Sequence, residues 1–497
     1  MLLRGKSARK RQKSGLLLPL FSLPDKYGIG TLGKTAFRFI EFLKSANQTY
    51  WQLLPLVPVG KGNSPYSSTS AFAGEILYID IDELINTGLL TPEDIPAAQF
   101  PKNTDYKAVR EFKLPLLKKA ADNFDTKTRA FINFKTENEY WLKDFALFMA
   151  IKDNFCGASF TEWDDGLKYR LPDAINEFFD QHQKEIEFYE ITQFLFYTQF
   201  VKLKSFAMSC GIKLIGDIPF YVSFDSADVW ANPDCFKLGR DMTPVLVSGV
   251  PPDIFSETGQ LWGNPIYDWD YQRKNDYLWW KQRLSHNASL YDVIRIDHFR
   301  AFADYYTIPY GSENAKNGKW EKGVGIQFFE SVKPVILNTE IIAEDLGTDS
   351  PELSKLMKQT GFPNMKILEF GFSTDLKNPF LPKNFNRNCV CYTGTHDNDT
   401  ALGWYNKATR KEQIMFAKLV PHYNGMSTAV RLISYGMKSK ADTVIIPLGD
   451  YLSLDSSARI NTPGTEYGNW EWRFEENDLT DHLCDLIRTL SKNRNLK

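Results

Sequence analysis

The chain has 497 residues, with 59 Lys and Arg against 61 Asp and Glu, a formal net charge of −2. That balance excludes a nucleic-acid binder whose affinity rests on an overall basic charge. With 24% charged and 43% hydrophobic residues the composition is globular and not disordered, and no stretch approaches the roughly 18 apolar residues that cross a bilayer.

In chain order, the first segment is basic: Arg4, Lys6, Arg9, Lys10, Arg11 and Lys13, followed by Leu16, Leu17, Leu18, Pro19 and Leu20. It mimics the start of a signal peptide, but Pro interrupts a short apolar run and no small-residue cleavage site follows. A basic tail over 1–13 and a short buried segment after it are expected. Apolar runs then recur at 51–56, 76–81, 212–215, 293–296, 341–343, 367–368, 389–392 and 443–447. Helical patterns separate them at 36–46, 189–209, 277–290, 328–336 and 351–358. Runs with apolar residues on both faces suit a parallel sheet covered by helices. Eight of them in β/α alternation predict an α/β fold, a (β/α)₈ TIM barrel forming one catalytic domain over 14–497. The stretch 84–193 reads as an inserted, mainly helical subdomain. The stretch 220–271, rich in Pro, Gly, Trp and Asp, reads as an inserted active-site loop subdomain.

Aromatic residues are the unusual term, 14% of the chain, with 36 Phe, 23 Tyr and 12 Trp. Most must be core, but ring faces also stack on the C–H faces of sugars. Six cysteines are too sparse for a disulfide scaffold and show no metal spacing. A reducing, cytoplasmic compartment is expected.

Three predicted strands end in acids: Arg295-Ile-Asp-His-Phe299, Ala343-Glu-Asp-Leu-Gly347 and Thr393-Gly-Thr-His-Asp-Asn398. Each acid alone could simply cap the following helix. In a (β/α)₈ barrel, however, strand ends converge on the face that carries the active site. Paired carboxyl groups flanking a sugar carbon are the machinery of glycoside chemistry, about 5–5.5 Å apart when configuration is retained. One must attack ionised; the other must donate a proton. An ordinary Glu, with pKa about 4.3, is protonated only about once in 500 molecules at pH 7. Two nearby Asp carboxylates would raise it. Arg295, two residues before Asp297 and on the same strand face, would keep Asp297 ionised. His298 and His396 can donate to sugar hydroxyls.

Further motifs are Ser64-Pro-Tyr66, Gly216-Asp-Ile-Pro-Phe-Tyr221, Gly249-Val-Pro-Pro-Asp253 and Phe255-Ser-Glu-Thr-Gly-Gln-Leu-Trp-Gly-Asn-Pro265. Near the C-terminus are Asn461-Thr-Pro-Gly-Thr465 and Asn469-Trp-Glu-Trp-Arg473. Taken with the strand-end acids, they resemble the motifs of 4-α-glucanotransferases, the amylomaltase or disproportionating-enzyme group of glycoside hydrolase family 77, in the same order along nearly the whole chain. The resemblance implies that Asp297 is the nucleophile, Glu344 the general acid/base and Asp397 the transition-state stabiliser. It places Arg295, His298, His396 and Asp217 in the same subsite, Tyr66 stacked on its sugar, and Trp262 on a loop that closes over the glucan. It also implies no cofactor, no metal and no C-terminal β-domain. Donors would be malto-oligosaccharides or glycogen- and starch-derived glucans, with glucose or maltodextrin as acceptor, acting without nucleic acid or membrane, as a monomer or homodimer. Leu261 stands where the family usually has Arg or Lys.

Gly28-Ile-Gly-Thr-Leu-Gly33 is literally GxGxxG, but no strand runs into it and no acid lies about 20 residues on, as a dinucleotide site requires. A rim turn with Thr31 or Thr35 capping the next helix is expected instead. Two other functions remain open at this stage. One is an α-glucan hydrolase using the same carboxylates; the other is a glucan-binding protein that keeps the aromatics without catalysis.

Overall fold

The computed structural model describes residues 12–252, 256–348, 350–492 and 494. Eight parallel strands close into a barrel in chain order. They are Lys13–Leu17, Tyr50–Gln52, Lys213–Ile218, Val293–Ile296, Glu340–Ala343, Asn364–Ile367, Cys389–Tyr392 and Thr443–Pro447. The first pairs with the eighth, Lys13 opposite Thr443 and Leu17 opposite Pro447. The fourth and seventh are buried along their whole length, which is why their sequences run apolar without alternation.

The (β/α)₈ expectation holds, with two differences in the strands that make it. The first strand is Lys13–Leu17, where the sequence reading placed the end of a basic tail and a short buried segment. Residues 1–11 of that tail lie outside the described residues. Gly15 hides the strand from a propensity reading. It is required there, because a Cβ at this position would lie 2.4 Å from Tyr50 O on the second strand. The second difference is 76–81, which is no strand. Ile76–Tyr78 is a 3₁₀ turn, and Asp80 caps the helix Ile81–Asn86 through the Glu83 N–H at 3.1 Å. The Leu77 and Ile79 carbonyls accept from the Lys113 ammonium, each at 2.6 Å, instead of joining a sheet. Lys113 is buried, and that burial pushes its ammonium down to about 8.

Between the second and third strands the chain is helical, including Tyr106–Asp122, Glu139–Asn154 and the 27-residue Gln183–Ser209. Where an inserted loop was expected over 220–271, the chain contributes strands Leu246–Val250 and Gln260–Pro265. Asp304–Pro309 and Lys319–Lys322, from beyond the fourth barrel strand, complete a four-stranded antiparallel sheet. No strand follows Pro447 among the described residues, whose last helix is Asp481–Ser491. The glycine-rich turn at 28–33 leads to helix Lys34–Ser45, capped by Gly33 rather than by a threonine side chain. Thr31 instead donates to Asp25 Oδ2 at 2.9 Å. No described helix is long and apolar enough to cross a membrane.

Candidate active site

Strand register sets the first pair of groups. Asp217 on the third strand lies opposite Arg295 on the fourth. Arg295 Nη1 donates to both Asp217 oxygens at 2.7 Å, and Nη2 donates to Asp297 Oδ1 at 2.9 Å. The Tyr66 hydroxyl donates to Asp217 Oδ2 at 2.7 Å. Burial pushes the Asp217 carboxyl up, while the Arg295 guanidinium pulls it back. The side chains of Asp217 and Arg295 are 0% and 4% exposed, that of Asp297 27%. One guanidinium thus joins a sealed carboxylate to one that faces the cleft.

His298 follows Asp297 in the left-handed conformation, φ 47° and ψ 44°. This costs a non-glycine residue on the order of 1 kcal/mol. Its N–H donates to Glu344 Oε2 at 2.8 Å, and the Leu346 N–H donates to Oε1 at 2.8 Å. These contacts tie the acid ending the fifth strand to the residue after Asp297. Burial, and then the Asp297 charge, push the Glu344 carboxyl up to about 8, against the pull of Arg295 and the Leu346 N–H. Glu344 is therefore mostly protonated at pH 7, as a general acid must be. Burial pushes the His298 imidazole down to about 4, so it is neutral at pH 7. The Trp262 ring meets His298 edge-on, centroids 4.8 Å apart. Trp262 lies on an edge strand, not on a loop.

Asp397 follows the seventh strand. His396 Nε2 is 3.3 Å from Asp397 Oδ2, and the His396 ring stacks on Tyr66, centroids 5.2 Å apart. Trp470 packs against both rings. Tyr66 thereby bridges the two sides of the site, by its hydroxyl to Asp217 and by its ring to His396. All nine residues expected from the sequence fall in one connected set: Tyr66, Asp217, Trp262, Arg295, Asp297, His298, Glu344, His396 and Asp397. Phe255, the first residue of the motif run that carries Trp262, lies outside the described residues.

Sequence reasoning missed the support of Asp397. Asn461 Nδ2 donates to Asp397 Oδ1 at 2.6 Å, and Arg459 Nη2 donates to the Asp397 carbonyl at 2.7 Å. The run containing Asn461 had been singled out as a motif, but nothing in it pointed to Asp397. Among the described residues, no group of three or more His, Cys, Asp and Glu could hold a metal ion.

The chain is similar to known proteins along nearly its whole length. A family profile described as 4-alpha-glucanotransferase matches residues 18–480. A 4-alpha-glucanotransferase of Clostridium butyricum is 43% identical over 95% of this chain and 98% of its own. One of Thermus thermophilus is 42% identical over 96% of this chain and 98% of its own. Among solved structures, an amylomaltase from Streptococcus agalactiae in complex with acarbose superposes with a TM-score of 0.94 at 38% identity. That match covers 98% of this chain and 99% of that one.

Proposed function

The chain belongs to the 4-α-glucanotransferase family and transfers α-1,4-glucan segments, and from that premise we propose a retaining, two-step mechanism for it. Asp297 attacks the anomeric carbon of a bound glucan, while Glu344 gives its proton to the departing 4-oxygen. A covalent glucosyl-enzyme forms, and the reducing-end fragment leaves. Glu344, now ionised, takes the proton from the 4-hydroxyl of an incoming sugar, which displaces Asp297 with a second inversion. Bonds broken and made are equivalent, so no cofactor or metal is required. Asp397 holds hydroxyls of the distorted sugar, with Asp217, Arg295 and His396 shaping the subsite. His298, neutral at pH 7, can donate to sugar oxygens. Tyr66 and Trp262 supply ring faces and edges.

The observation that supports this reading is the pairing of two unlike carboxyl environments. Asp297 is held by a guanidinium, while Glu344 is buried and raised to about 8 on the adjacent strand end. Donors are malto-oligosaccharides and glycogen- or starch-derived glucans, consistent with the acarbose bound to the Streptococcus agalactiae amylomaltase. Glucose or a maltodextrin serves as acceptor. The catalytic unit is 14–497, and the six free thiols accord with a cytoplasmic setting. Incubation with maltotriose tests the activity. Glucose together with maltotetraose and longer products supports transfer. Glucose and maltose alone would make the protein a hydrolase, and no products would make it a binding protein.

A further inference from the structure

The C-terminal segment reaches back to Asp397 through a closed ring of hydrogen bonds. Asn461 Nδ2 donates to Asp397 Oδ1 at 2.6 Å, and the Asn461 N–H donates to the His396 carbonyl at 3.0 Å. Arg459 donates from Nη2 to the Asp397 carbonyl and from Nε to the Asn461 carbonyl, both at 2.7 Å. Farther along the segment, the Trp470 N–H donates to the Ile460 carbonyl at 2.7 Å. Trp470 is fixed in turn by the helical insertion, whose Tyr106 hydroxyl donates to the Trp470 carbonyl at 3.1 Å.

From this ring we infer that Asn461, itself held by Arg459, is a positioning residue that fixes the Asp397 carboxylate for the sugar being attacked. The inference rests on the assignment of Asp397 to that sugar. A neutral amide can orient one carboxylate oxygen without cancelling the charge, whereas a cation in its place would compete with the substrate hydroxyls for it. Arg459 contributes its charge to backbone carbonyls and not to the Asp397 carboxylate. Among the described residues, the ionisable groups in contact with Asp397 are Arg459 and His396. Tyr66 lies close enough to feel its charge.

The test is a set of pH–rate profiles on maltotriose for the full-length wild type, Asn461→Asp and Asn461→Ala. In Asn461→Asp, a protonated carboxyl can donate to Asp397 as the amide does. Its ionised form would set two carboxylates side by side, and that repulsion keeps the proton on to higher pH than in an isolated aspartate. The Asn461→Asp variant should therefore approach wild-type kcat at the acidic end and lose it as pH rises, with a descending limb that sets in at lower pH than the one loss of the Glu344 proton gives the wild type. Asn461→Ala should lose kcat by roughly 10- to 100-fold at every pH, because a misplaced group costs rate and not only affinity, with KM changed by less than about threefold. Recovery on acidification cannot come from a misfolded chain, and thermal unfolding at each pH checks the fold directly. An Asn461→Asp profile that coincides with the wild-type one at every pH, or losses confined to KM, would overturn the inference. Asp397→Asn separates the two levels. If it keeps wild-type turnover, the assignment of Asp397 fails and the inference goes with it. If it is inactive while both Asn461 variants match wild type, only the positioning role fails.

Discussion

On the side of the cleft built by the third and fourth strands, Asp217 and Asp297 share the Arg295 guanidinium, and two of the three side chains are sealed from water. On the side built by the seventh strand, Asp397 is 42% exposed at its side chain and is held by an amide and by contacts to its backbone carbonyl. In the proposed mechanism both sides present a carboxylate to the same sugar. The first fixes its acid by charge and so ties it to the stability of the barrel. The second holds its carboxylate by a neutral amide and only the backbone carbonyl by a guanidinium, both from a distant segment. Glu344 belongs to neither scheme: burial and the Asp297 charge outweigh the pull of Arg295, and that keeps its proton on.

The sharpest break between these schemes is chemical. Asp297→Asn should lower turnover by on the order of 10⁴-fold or more and form no covalent intermediate, even with a glycosyl fluoride donor. Glu344→Gln should be about 10²- to 10⁴-fold slower on maltotriose yet still be glycosylated by the fluoride, which leaves without a proton. Mass spectrometry of the trapped enzyme distinguishes them, and identical behaviour would invalidate the two roles.

Next in size is stability. Arg295→Met leaves the buried Asp217 without its cation and should cost about 3–5 kcal/mol in urea unfolding. Asn461→Ala, at a half-exposed carboxylate, should cost about 1 kcal/mol. Comparable losses would erase the contrast between the two sides.

Glu344 gives a third, smaller effect with a defined sign. Its carboxyl holds a proton up to about 8 when folded, against an ordinary value of 4.5. Unfolding between those values releases a proton, so stability falls as pH rises from about 4.5 toward 8. Glu344→Gln removes that penalty. It should be more stable than wild type by on the order of 2–3 kcal/mol near neutral pH and no more stable near pH 4. Wild-type turnover should decline above pH about 8 as the acid form is lost. A stability difference independent of pH would show that Glu344 is not held protonated.

The smallest effect concerns water, which at about 55 M outnumbers a millimolar acceptor by more than roughly 10⁴. Binding and orienting the acceptor must make up that difference. Trp262 sits edge-on to His298 at the rim. Trp262→Ala should raise the ratio of free reducing ends to disproportionation products roughly 3- to 10-fold at matched conversion. An unchanged ratio with lower activity would reduce Trp262 to packing.

The acids at 297, 344 and 397 were legible because a barrel gathers strand ends and each acid follows an apolar run. Arg295 was legible because residues two apart share a strand face. The first strand was not, because Gly15 is there for an approach to Tyr50 that only the fold creates. The 76–81 segment read as a strand because its apolar run does not reveal that Lys113 satisfies its carbonyls. Asn461 escaped because a neutral amide has no spacing rule linking it to an acid beyond the end of a distant strand.

The pairing of the first strand with the eighth also bears on how the protein is made. At about 5–20 residues per second, the roughly 430 residues between Lys13 and Thr443 take about 20–90 s to synthesise. Over that interval one backbone edge of Lys13–Leu17 has no neighbour, and such an edge invites association with other chains. Arg459, Asn461 and Trp470 arrive later still. Polypeptides released early would therefore carry all three acids and yet lack both the closed sheet and the ring around Asp397. Activity then waits for the eighth strand and the 459–470 segment, and a nascent-chain assay should show it appearing as a step rather than a ramp.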